Sequence, residues 1–172
     1  MREFHDMVRD ALRYEQETGL FRWRISHGNR RRGQIAGHID DQGRPKIQVN
    51  GERFLQSRLA WYWMKGAWPN AEIDHINENQ ADNRWCNLRE ATRSENECNK
   101  SLKSNNTSGI KGVRKVGGRW RAEIMKDGKA KHIGYFDTSE AARQAYLDSA
   151  DKLHGEFANP SPALSARHVW LR

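Results

Sequence analysis

An aspartate stands beside a histidine at Asp74-His75, and asparagines follow at Asn87 and Asn96. A carboxylate oxygen and an amide oxygen are hard donors, better matched to Mg²⁺ or Mn²⁺ than to zinc. An imidazole, with an ordinary pKa of about 6.5, can take a proton from water near neutral pH. Together these parts suit metal-assisted hydrolysis of a phosphodiester, the base activating water while a cation neutralises charge on the phosphate and the leaving oxygen. Residue types alone leave a plainer alternative open, because Asp-His neighbours are common and Asn-rich loops are usually turn chemistry. Adjacent side chains of a strand point to opposite faces, so Asp74 and His75 can serve one site only at a strand end or bend. The loop that begins at Asn77 would supply one.

Charge points to the kind of partner. The 172 residues carry 30 Lys and Arg against 22 Asp and Glu, a net +8. Residues 1–102 hold 17 bases and 15 acids, whereas 103–172 hold 13 and 7. Within the second part, 109–136 alone carries eight bases against Glu123 and Asp127, so the excess is a local patch. A nucleic-acid backbone rewards such clustering, since each neutralised phosphate releases condensed counterion; the alternative is a basic face kept for solubility. A second cluster is Arg30-Arg31-Arg32. Hydrophobic residues make up only 36%, which disfavours a single large core, but seven Trp argue against a disordered basic tail. No run reaches the roughly 18 apolar residues of a membrane span, and the N-terminus is too polar for a secretory signal. Cys86 and Cys98 are too few for a disulfide framework or a four-thiolate zinc site. A soluble, intracellular protein of two modules with a polyanionic partner is the expectation.

The positioning elements follow from periodicity. Residues 6–18 space Met7, Val8, Ala11, Leu12 and Tyr14 as a helix that ends before Gly19. Leu20 to Ile25 alternates like a strand, and a basic loop runs from His27 to Gly33. Pro45 to Leu55 predicts a hairpin, because Asn50-Gly51 offers the two positive-φ residues of a type I′ turn. Ser57 to Lys65 predicts a helix stopped by Gly66, whose Trp61, Tyr62 and Trp63 read as core rather than a base-stacking platform. Around the chemistry, the order is strand at Ile73, loop, strand, then a helix over 94–100 capped by Thr92 or Ser94. Ser101 to Ser108 is the linker candidate. Beyond it lie three strand-like runs, Gly112–Val116, Trp120–Met125 and Lys131–Phe136, turned by Gly117-Gly118 and Asp127-Gly128. Alternation puts Arg119, Arg121 and Glu123 on one face and Trp120, Ala122 and Ile124 on the other. A helix over 139–153, begun by Asp137 or Ser139 and striped with Ala142, Ala145, Tyr146, Ala150 and Leu153, would cover the apolar face.

Ile73-Asp74-His75-Ile76-Asn77, then Asp82-Asn83-Arg84-Trp85-x-Asn87-Leu88-Arg89-x-Ala91-Thr92-x-x-Glu95-Asn96, resembles the HNH endonucleases of phages and mobile introns. Upstream, Thr18 to Trp23, Gly33 to Gly37, Arg58 to Trp61 and Gly66-x-Trp-Pro69 look like the N-terminal part of such phage proteins, so the resemblance spans about residues 8–100. It implies a ββα-metal nuclease module with His75 as general base, Asp74 and Asn96 as metal ligands, and Asn87 bracing the loop and orienting the histidine. Asn96 occupies the place of the final histidine, making an H-N-N variant that can bind Mg²⁺ through oxygen but offers no second base. The paired Cys-x-x-Cys motifs of zinc-bearing branches are missing, so no zinc is expected.

Residues 108–159 resemble the DNA-binding domain of plant ethylene-response factors. The matching stretches are Gly112-Val113-Arg114, Trp120-x-Ala122-Glu123-Ile124, Gly134-x-Phe136-x-Thr138-x-Glu140-Ala141-Ala142, Ala145-Tyr146 and Asn159. The resemblance implies a sheet in the major groove, with Arg114, Arg119, Arg121 and Glu123 facing DNA and Lys129 and Lys131 on phosphates. The sheet tryptophan expected near Val116-Gly117 is absent and Arg121 replaces a small residue, so the plant target sequence does not carry over.

The resulting expectation is an α+β protein with three parts. Residues 1–102 form an HNH nuclease domain with a β-rich N-terminal extension. Residues 103–160 form a three-stranded antiparallel sheet covered by one helix, and 161–172 a tail. It would cut duplex DNA at preferred sites with Mg²⁺, or Mn²⁺ in its place, with Arg30, Arg31 and Arg32 as further DNA contacts. It would work as a monomer in the cytoplasm of a bacterial host, encoded by a phage. The alternatives are a DNA-binding regulator with a decayed nuclease site and an RNA-binding or structural phage protein.

Overall fold

The computed structural model describes residues 4–100, 102 and 106–158. Ser101 and 103–105 of the linker candidate, Asn159, Pro160 and the tail 161–172 lie outside the described residues. The chain divides into two compact units, Met1–Ala91 and Thr92–Arg172. Both are mixed α/β, built from small antiparallel sheets and few helices.

The first unit opens with helix α1 (Phe4–Ala11) and strand β1 (Leu12–Glu15), where the periodicity predicts one helix over 6–18. The helix stops early because Leu12 and Tyr14 have better partners across a hairpin. They pair with Trp23 and Phe21 of β2 (Leu20–Trp23), and all four side chains are buried. Leu12 and Tyr14, two apart, satisfy a strand's alternation as well as a helix stripe, and the nonlocal pairing decides. The hairpin closes through Gly19, at φ 73°. A Cβ there would strike the main chain of Asn83 and Arg84, so this turn lies directly against the loop before the second strand of the motif.

Strands β3 (His38–Ile39), β4 (Pro45–Val49) and β5 (Glu52–Leu55) form the next sheet in that order. Asn50 and Gly51 take φ 48° and 88°, the positive pair a type I′ turn needs. Helix α2 (Gln56–Lys65) ends at Gly66, whose left-handed backbone donates to the Tyr62 carbonyl. Leu59 and Ala60 have no exposure, and Trp63 meets Phe21 edge-on at 6.2 Å. Trp61 lies 5.2 Å from Trp85 and Tyr62 stacks on Trp68 at 4.5 Å, so the helix's aromatics face side chains of their own unit. Strands β6 (Glu72–His75) and β7 (Leu88–Ala91) pair antiparallel and finish the unit.

The second unit begins with helix α3 (Arg93–Asn99), the helix expected to close the first domain. Thr92 caps it in a full capping box, its hydroxyl accepting from the Glu95 N–H while Glu95 accepts from the Thr92 N–H at 2.7 Å. Strands β8 (Val113–Val116), β9 (Arg119–Lys126) and β10 (Lys129–Phe136) make an antiparallel sheet with β9 central. Helix α4 (Ser139–His154) covers it, burying Ala142, Tyr146 and Ala150 against Val113, Ala122 and Ile124. Its cap is Thr138, which accepts from the Ala141 N–H, in place of the expected Asp137 or Ser139. Asp137 is engaged elsewhere, pairing with Arg119 at 3.1 Å. Ala145 and Leu153 are only half-buried members of the stripe.

Three bonds tie α3 into this unit. Asp127 N–H donates to Ser94 Oγ at 3.1 Å, and Lys111 Nζ donates to the carbonyls of Cys98 and Lys100 at 2.6 and 2.5 Å. Cys98 Sγ also lies 3.5 Å from the His154 ring. Burial pushes that thiol up and that imidazole down from their ordinary values, which favours the neutral form of each.

Candidate functional site

β6 is exposed where it starts and buried where it ends, with Asp74 4% and His75 9% accessible. Asp74 faces Arg89 across the ladder and accepts from its Nε at 2.9 Å and Nη2 at 2.8 Å, both on Oδ2. His75 is the last residue of the strand, the position from which neighbours on opposite faces can turn toward one place. Its Nε2 lies 3.0 Å from Asn83 Oδ1. An amide oxygen only accepts, so this contact is a hydrogen bond when Nε2 carries a proton. Beside the ring a cleft of about 110 Å³ opens between Asn83, Gln80, Ile73, Ser57 and Arg44, room for a few waters.

The loop between the strands is held from within. Asn87, in a 3-10 turn before β7, accepts from the Asn77 N–H at 3.0 Å. It donates to Asn77 Oδ1 at 2.9 Å and to the Asp82 carbonyl at 2.7 Å. Its main-chain oxygen accepts from Ile76, the residue after His75. Asn87 therefore clasps both ends of the loop with its side chain. Asp82 accepts from Arg84 Nε at 2.8 Å and Nη2 at 2.6 Å and from Asn77 Nδ2 at 2.7 Å. The Arg84 guanidinium, first among these, holds the Asp82 carboxyl down at about 2 against the opposing effect of burial. Asn83, the side chain that meets His75 directly, was missed as a site residue. Its signal was its place in the Asp82-Asn83-Arg84 run, which reads locally as turn chemistry.

Asn96 sits half-buried on α3 of the second unit. Among the described residues no cluster of three or more His, Cys, Asp or Glu could hold a metal. The motif offers instead one carboxylate and one amide oxygen. An Asp74 carboxylate oxygen is a hard donor of the kind a divalent cation takes.

On the open face of the second sheet, Arg114 pairs in register with Arg121, and Glu123 stands between them, 2.9 Å from Arg121 Nη2 and 3.8 Å from Arg114 Nη2. Arg119 donates to Asp137 and to the Tyr135 carbonyl. Register adds two residues the sequence did not single out: His132 lies opposite Glu123, and Tyr135 opposite Arg121. A bulge between His132 and Gly134 lets both share that face, their rings 5.0 Å apart. Lys131 lies opposite Ile124 and Lys129 opposite Lys126, which puts these exposed lysines on the helix side of the sheet. In the first unit, Arg30 lies over the Trp23 ring at 4.4 Å, while Arg31 and Arg32 are exposed on a loop held by Gln34 and Ser26.

Residues 55–98 match the family model of the HNH endonucleases. An uncharacterised HNH endonuclease of Acanthamoeba polyphaga mimivirus is 41% identical over 90 residues, 52% of this chain and 46% of that protein, so the match spans about half the relative's length. Protein 3.8 of Escherichia phage T7 is 35% identical over 88 residues, 50% of this chain and 72% of that protein. Among the described residues no helix is long and apolar enough to cross a membrane.

Proposed function

Since the chain belongs to the HNH endonucleases, we propose that it hydrolyses phosphodiester bonds of duplex DNA at preferred sites, with His75 as the general base. The observation that carries this reading is the buried imidazole held through Nε2 beside a cleft with room for a few waters, with the Asp74 carboxylate next to it in the chain. Nδ1 takes the proton from the attacking water, and the charged imidazolium formed is retained by the Asn83 oxygen. Arg89 holds the Asp74 carboxylate in one orientation, and Asn87 keeps the loop closed around the histidine. Asp74 and, from the motif, Asn96 would hold a divalent cation, Mg²⁺ or Mn²⁺. When bound, that ion supplies charge neutralisation at the phosphate and the leaving oxygen. The products would be 5′-phosphate and 3′-hydroxyl ends.

The functional modules are proposed as 1–102 for cleavage and 103–160 for duplex binding, the latter similar to the ethylene-response-factor domain, with 161–172 as a tail. Arg114, Arg119, Arg121 and Glu123 would face the major groove. Arg30, Arg31 and Arg32 would contact phosphates, whereas Lys129 and Lys131, expected to do so from the resemblance, lie on the helix side of the sheet and are left out of that set. The protein would act as a monomer inside the infected host cell. Replacing His75 with Ala tests the central assignment: Mg²⁺-dependent cleavage of labelled duplex is lost while binding persists. Unchanged cleavage would defeat it, and binding without cutting by the unaltered protein would favour the DNA-binding regulator.

A further inference from the structure

We infer that Asn83 is the residue that positions His75 for proton transfer, and that the β1–β2 hairpin holds Asn83 in place for that purpose. The inference rests on the reading of His75 as the base and adds to it a route by which the N-terminal extension reaches the catalytic group.

Asn83 is 2% exposed and, among the described residues, the one polar member of the largest fully buried side chains. Burying an amide is costly unless it is hydrogen-bonded, and its oxygen meets His75 Nε2 at 3.0 Å. The consequence for the ring is specific. An acceptor that cannot donate favours a proton on Nε2 and fixes the plane of the imidazole. Asn87 does different work, since both ends of its amide go to Asn77 and Asp82.

Three contacts from the hairpin set where Asn83 stands. The Tyr14 hydroxyl, from β1, donates to the Asn83 carbonyl at 2.7 Å in a buried bond spanning 69 residues of sequence. The Trp85 N–H, two residues on, donates to the Gln16 carbonyl at 3.0 Å. Gly19, at the hairpin turn, presses so close to the Asn83 and Arg84 main chain that no side chain fits between them. Tyr14, Gln16 and Gly19 thus grip Asn83 and its flanks on the main chain, leaving its side chain directed at the imidazole.

The test uses the full-length chain. Nitrogen-15 NMR of the histidine rings, recorded without metal in mildly alkaline buffer, reads which nitrogen of His75 is protonated. Unaltered protein should show the Nε2–H form. Asn83→Leu, close in size but without an acceptor, should mix the two tautomers and lower kcat about 10- to 100-fold with KM for duplex unchanged. Asn83→Asp keeps an oxygen at the same place and should restore the single tautomer and most of kcat. A His75 ring protonated on Nδ1 in the unaltered protein would overturn the inference, even if Asn83→Leu fails to fold. So would a folded Asn83→Leu protein with unchanged tautomer and kcat while H75A is inactive. Cleavage surviving in H75A would instead overturn the base assignment itself.

Discussion

Arg89 faces Asp74 directly across the β6–β7 ladder, and both of its guanidinium bonds close on the same carboxylate oxygen. The pair is nearly dry, at 11% and 4% side-chain exposure. Its geometry gives Asp74 one orientation and couples the candidate ligand to the strand that follows the loop.

Removing the guanidinium alone takes both of these bonds from a buried carboxylate. Arg89→Met should cost about 3–5 kcal/mol in urea unfolding, and adding Asp74→Asn should recover most of that loss. A single variant within about 1 kcal/mol of the parent would mean the pair is not desolvated as described.

Gly19 and Gly43 both have positive φ, 73° and 76°, but only Gly19 has main chain where a Cβ would go. Gly43→Ala should cost on the order of 1 kcal/mol, the strain of φ alone. Gly19→Ala should cost clearly more and should also reduce cleavage, because the displaced segment carries Asn83. Equal melting temperatures for the two variants would contradict the packing described.

Acid sensitivity follows from Asp82. Its carboxyl is held at about 2, below its ordinary value of about 3.8, chiefly by Arg84. A depressed carboxyl stabilises the fold above the unfolded value, and that contribution drains away as pH falls from about 4 toward 2. Asp82→Asn should therefore be less stable than the parent by a constant margin at neutral pH, with the gap closing across that interval. Arg84 is half-exposed, so the margin is small and shrinks with salt. Denaturation midpoints at several pH values check the sign; a gap that widens on acidification would be wrong for this pair.

Much of this architecture could be read in advance wherever the deciding interactions are local. Asn50-Gly51 and Gly66 announced a hairpin and a helix end because their backbone conformations are demands of the residues themselves. Leu12 and Tyr14 misled because their spacing satisfies both periods, and only Phe21 and Trp23 on the facing strand choose between them. Thr138 was passed over for its acidic neighbour because Asp137's engagement with Arg119 lies 18 residues away in sequence. At the candidate site, Asp74, His75 and Asn87 were visible as a motif. Asn83 stood in the same stretch without a role, since its meaning depends on a loop folding back onto a histidine eight residues earlier.

Glu123 sits between Arg121 and Arg114 on the open sheet face and offsets part of their charge. Glu123→Gln should strengthen binding to arbitrary duplex and steepen the fall of log K with log salt by about 1. Discrimination among duplex sequences should decline, because a carboxylate that can accept from a cytosine amine is lost. Titrations at several salt concentrations measure both effects, and a slope unchanged by the substitution would remove this face from the interface.

The grip of Tyr14, Gln16 and Gly19 on the segment around Asn83 sets the smallest portable form of this chemistry. A chimera that grafts only residues 73–99 onto a foreign scaffold would inherit the histidine and its clasped loop without the buttress behind them. The transplantable cassette must carry residues 12–23 as well, so shuffling within this lineage should exchange the two stretches together or leave a slack, slow catalyst.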